Sequence, residues 1–145
     1  MKFRYILSVI AYIIMAQVVH TVGSILSMKY YIMPEYFSVW SKLMMPNAGP
    51  PPTSFYFISF FCSLVMGIML LAVYLFIRDS FRTKSRAKKG LIFALIVMGV
   101  SAIPNFLGNV LLINLPAGLL IEWLAEGIII AICTGLIFSL IAEKK

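Results

Sequence analysis

Residues 78–89, RDSFRTKSRAKK, carry six of the chain's twelve basic residues and divide two long apolar halves. A stretch this charged cannot lie within hydrocarbon, so it marks one side of any membrane that the apolar halves cross. Lys and Arg beside spans are retained in the cytoplasm, which makes this the cytoplasmic loop. Counting helical passes outward puts Lys2, Arg4, Lys144 and Lys145 on the same side and leaves Lys29 and Lys42 opposite. The expected fold is an all-α integral membrane four-helix bundle, both termini inside, forming a single transmembrane domain over residues 1–145. The expected location is a plasma membrane of the bacterial inner-membrane type.

Composition agrees. Charged residues are 12% of the chain and mean hydropathy is +1.02, whereas soluble domains are about a quarter charged. The net charge of +7 then follows from the retention of cations on one side. No run interleaves basic residues with stacking aromatics, so nucleic acid is not an expected partner. Membrane lipids are expected partners, with a homo-oligomer or a larger membrane complex left open. Cys62 and Cys133 fall within apolar spans and show no redox or metal spacing. The amino terminus begins like a signal peptide but lacks a small-x-small cleavage site, and its apolar character continues for about 20 residues. It reads as an uncleaved first span.

Hydropathy places spans over residues 5–27, 55–77, 90–113 and 117–142. Between the first two lies an outer segment, 34–45, whose helical wheel gathers Tyr36, Phe37, Val39, Trp40, Leu43 and Met44 against Glu35, Ser38, Ser41 and Lys42. As an amphipathic helix it would lie flat in the outer interface, where Trp and Tyr are favoured, or pack as a lid on the bundle. The PNAGPPP run that follows cannot be helical, and Thr53 or Ser54 is placed to cap the next helix. In the third span, Pro104 removes a backbone donor and predicts a kink that leaves the Val100 carbonyl in need of another partner. In the fourth, Gly127, Ala131 and Gly135 form a groove of small residues suited to close helix approach.

The polar residues of these spans are not scattered. Gln17, His20, Thr21 and Ser24 share one helical face, Ser101, Asn105 and Asn109 another, and Glu122 and Glu126 lie one turn apart. At 1.5 Å of rise per residue they fall roughly 16 to 28 Å from the cytoplasmic face, a single polar layer in the outer half. A carboxylate at such depth costs about 3 kcal/mol on insertion scales, so both glutamates are expected to face the bundle interior, where His20 can pair with one and the Gln17, Asn105 and Asn109 amides can donate.

The candidate proton- or ligand-binding set is therefore Glu126, Glu122, His20, Gln17, Asn105 and Asn109. Interhelical polar contacts also serve as glue, and for the two asparagines and His20 taken singly that is the simpler reading; the glutamate pair tips the layer toward function. A single histidine and the absence of Glu-x-x-His argue against a metal site, and no glycine-rich loop or Gly-x-Ser-x-Gly motif accompanies the spans. No cofactor or catalytic residue is assigned. The reading is a transport or binding bundle for a proton, a cation or a small polar ligand. The alternatives are a non-catalytic accessory subunit and a lipid-directed intramembrane enzyme using a glutamate as general base beside His20.

Overall fold

The computed structural model describes residues 2–47 and 49–143, whose regular elements are all helical, with no strand among the described residues. Long apolar runs suit helices, in which the backbone groups pair within the segment itself. The elements are α1 (Lys2–Leu26), α2 (Met28–Tyr31), a 3-10 turn (Pro34–Tyr36), α3 (Thr53–Ile77), a 3-10 turn (Arg78–Ser80), α4 (Arg86–Val97), a π turn (Met98–Ala102), α5 (Ile103–Leu112), α6 (Ala117–Ile137) and a second π turn (Phe138–Ala142). Together they make four helices long and apolar enough to cross a membrane: Lys2–Leu26, Thr53–Ser80, Arg86–Leu112 and Ala117–Ala142. Their ends lie about a turn or less from those expected. Thr53 is the first residue of α3 and forms no side-chain cap, whereas Ser85 caps α4 by accepting from the Lys88 N–H at 3.4 Å.

The outer segment departs from expectation. A continuous helix over 34–45 does not form: helical geometry is confined to Pro34–Tyr36, and the remainder is a series of turns. Trp40, assigned by the helical wheel to a membrane-facing arc, is 8% exposed and lies with its ring centroid 5.0 Å from Tyr31 and 6.3 Å from Trp123. Tyr36, Phe37 and Met44 pack against the same cluster, together with Leu119. Turns let these aromatics converge on α2 and α6, whereas one straight helical face would hold them in a line. The lid reading describes this segment.

Span one packs along span two on one side and span four on the other, and span four packs along span three. Spans two and three come together at the end that carries the basic loop, where the Tyr74 and Phe93 rings are 5.2 Å apart and Tyr12 and Phe138 complete a buried aromatic knot. The tightest approach is between α4 and α6. A Cβ on Gly90 would lie 2.6 Å from the Gly135 carbonyl oxygen and 2.6 Å from Ser139 Oγ, so the helices touch backbone to backbone. The small-residue groove of the fourth span is thus used, with Gly135 against Gly90 and Gly127 against Ala102.

The same basic end is tied by Glu143. Its carboxylate accepts from the Tyr74 hydroxyl at 2.8 Å and the Lys89 ammonium at 3.3 Å, and its backbone carbonyl accepts from the Arg4 guanidinium at 3.0 Å. One residue therefore joins all four spans.

Span three bends the pattern at Met98–Ala102. A π turn inserts one residue into the helical repeat, so the face that follows it slips by one position. The inward series begins at Gly90, Phe93, Ala94 and Val97 and continues as Ala102, Phe106, Asn109 and Ile113, where an unbroken helix would use Ser101, Asn105 and Gly108.

Candidate functional site

The face of α1 that begins at Gln17 meets α6 and α3 in the half of the bundle away from the basic loop. His20 Nδ1 is 3.1 Å from Glu126 Oε2. Gly23 makes the approach between α1 and α6 possible, because any Cβ there would occupy the space of the Glu126 carboxylate. One turn further, Ser27 donates its hydroxyl proton to Glu122 Oε2. The glutamates, a turn apart on α6, are thus matched by His20 on α1 and by Ser27, seven residues further and just past the end of α1, and both carboxylates turn inward as the cost of burying them requires.

Gln17 is placed in the same region but serves another contact. Its amide donates to Ser63 Oγ at 2.9 Å and Ser59 Oγ at 3.3 Å, joining α1 to α3 rather than reaching a carboxylate. Asn105 and Asn109 do not join the constellation. Past the π turn Asn105 is exposed on the bundle surface and Asn109 is half-buried, and neither side chain forms a hydrogen bond with a described residue.

Beside the pair lies an open cavity of about 880 Å³ between α1, the start of α3 and the outer segment. Gln17, His20, Thr21, Ser24 and Ser59 line its polar part, and Met28, Phe37, Met44, Met45 and Phe55 line its apolar part. His20 belongs to both features: its side chain is 56% exposed toward this space, while Glu126 behind it is 16% exposed. The carboxylate can therefore orient the imidazole through Nδ1 and leave Nε2 free for a ligand.

The outer wall is held by Tyr31, whose hydroxyl accepts from the Trp123 indole N–H at 3.1 Å. Burial, opposed by that hydrogen bond and reinforced by Glu126 and Glu122, pushes the Tyr31 phenol above its ordinary value of 10.0 and keeps it neutral. Ser27, Tyr31, Ser59 and Trp123 were not in the sequence-derived set. Ser27 had a usable signal, lying two turns past His20 on the same face; the others depend on how the loop and the helices meet. Among the described residues no three of His, Cys, Asp and Glu gather as metal ligands, and Cys62 and Cys133 are free thiols. Comparison with protein-family models, curated proteins and solved structures finds no match.

Proposed function

We propose that the chain is an integral membrane protein, with basic loop and termini in the cytoplasm, that binds a small neutral amphipathic molecule in the cavity beside His20 and Glu126. The observation that carries the reading is His20, oriented by a carboxylate at 3.1 Å and presented to a cavity of about 880 Å³. Pockets that enclose drug-sized organic ligands run from about 300 to 1,000 Å³, far larger than a bare cation needs. The lining has hydroxyls, an amide and an imidazole but no Lys, Arg, Asp or Glu among its described residues, which suits a hydrogen-bonding, uncharged head. Met and Phe side chains suit an apolar body, and methionine adapts to varied shapes. The His20–Glu126 pair can also hold a proton whose position shifts when ligand meets Nε2, so a transport bundle coupled to protons and a simple receptor are both built on this site.

The test is titration of N-phenyl-1-naphthylamine, a neutral fluorescent amphiphile, into the full chain in lipid nanodiscs. Saturable binding beyond that of empty discs is expected, weakened at least tenfold by His20→Ala and blocked by Ser24→Trp, which fills the cavity. Binding indifferent to both variants refutes the reading. The lipid-directed enzyme draws support from the same pair, since His20 with Glu126 behind it has the arrangement of an oriented general base. Turnover of a lipid by the wild type and its loss in Glu126→Gln would select it. An accessory role would survive Glu122→Gln with Glu126→Gln, because docking needs no titratable pair.

A further inference from the structure

The surface of span three presents a feature that the cavity does not explain. Ser101 and Asn105 are exposed, Asn109 is at their edge, and none of the three side chains bonds a described residue. With Leu91 taken as the start of the apolar core, a rise of 1.5 Å per residue puts Ser101 about 15 Å in, near the midplane, and Asn105 about 9 Å below the far edge of a 30 Å core. Water is not available there to an unpaired amide. The backbone adds to the demand. Ile103 donates to the Met98 carbonyl across the π turn, and Pro104 has no N–H, so a carbonyl of the preceding turn lacks its helical donor beside exposed Val100.

We propose that this face, centred on Ser101 and Asn105, is where a second copy of the chain docks. Lipid tails offer neither donors nor acceptors, so lipid leaves the face unsatisfied. A primary amide is its own complement, with two donors and an acceptor in one group. Two copies inserted in the same sense are related by a twofold axis along the membrane normal, which brings each residue to its counterpart at equal depth. Asn105 then meets the partner's Asn105, with Ser101 and its counterpart about 6 Å closer to the midplane. No ionisable residue lies between Gly90 and Ile113 to oppose the approach. Gly108 keeps the surface low on the same face, since a Cβ there would meet nothing within 4 Å.

The full chain with Cys62→Ala and Cys133→Ala is the background for the test. In lipid nanodiscs or native membranes under a mild oxidant, Gly108→Cys, which keeps the Asn105 amide, should give a disulfide-linked species of twice the chain mass. Phe76→Cys, on an exposed face of span two, should not. Energy transfer between labelled copies, measured against dilution in lipid, should show at least a tenfold weaker dimer for Asn105→Leu and near-parental association for Asn105→Gln. Removing an exposed amide from a lipid-facing surface leaves the internal packing untouched, so circular dichroism should match the parent. The proposal is overturned if the parent is monomeric at all dilutions, if Phe76→Cys cross-links as well as Gly108→Cys, if Asn105→Leu associates as the parent does, or if Gly108→Cys couples only to a different protein.

Discussion

Replacing Gly90 with alanine tests whether the α4–α6 contact holds the bundle together. The new Cβ would lie 2.6 Å from the Gly135 carbonyl oxygen, where ordinary contact begins at 3.4 Å, so the helices must separate locally by about 0.8 Å. In a membrane bundle, close contact replaces water exclusion as the cohesive force. A gap of 0.5–1 Å forfeits a quarter to a half of each contact's energy, and roughly 40 atom pairs at about 0.15 kcal/mol give about 6 kcal/mol in all, so the expected loss is about 1.5–3 kcal/mol. The better helix propensity of alanine returns up to about 1 kcal/mol. Gly99→Ala is the control, because a Cβ there meets nothing within 4 Å. Reversible unfolding in mixed micelles should place Gly90→Ala below Gly99→Ala by about 1.5–3 kcal/mol, near the usual cost of overpacking. Equal stability of the two variants would show that α4 and α6 are not in backbone contact.

Two further predictions concern the ends of the bundle. Glu143→Gln should lower stability by about 1–2 kcal/mol, because it weakens charge-assisted contacts to Tyr74 and Lys89 at once, and a double-mutant cycle with Tyr74→Phe should show coupling; additive effects would remove Glu143 as the tie. At the other end, Tyr31 is neutral in the folded lid, and its raised value means that its contribution is complete below the ordinary 10.0 and is lost as pH rises through the folded value. Trp40 and Trp123 emission should therefore hold steady to about pH 10 and shift red above it, with Tyr31→Phe abolishing the pH-dependent step. A transition near neutrality would contradict a buried phenol.

The sequence by itself determined the number of long apolar helices, approximately where they end, and which helical faces are polar. Those properties are local: hydropathy depends on composition within a window, and a face depends only on the helical period. It also marked out Glu122, Glu126 and His20, because an expensive buried carboxylate must find a partner and one histidine was within reach in depth. The tertiary structure decided which groups meet. Gln17 bonds Ser59 and Ser63 instead of a carboxylate because its side chain lies against α3. Asn105 leaves the interior because one residue inserted at Met98–Ala102 slips the inward face to Ala102 and Phe106, a change that an ideal helical wheel cannot show. Trp40 becomes part of a lid because turns fold it back onto Tyr31 and against Trp123, the latter across a sequence separation that periodicity does not encode. Glu143 ties the basic end for the same reason: it lies at the close of the last span, and only the packing of four helix ends brings Arg4, Tyr74 and Lys89 around it.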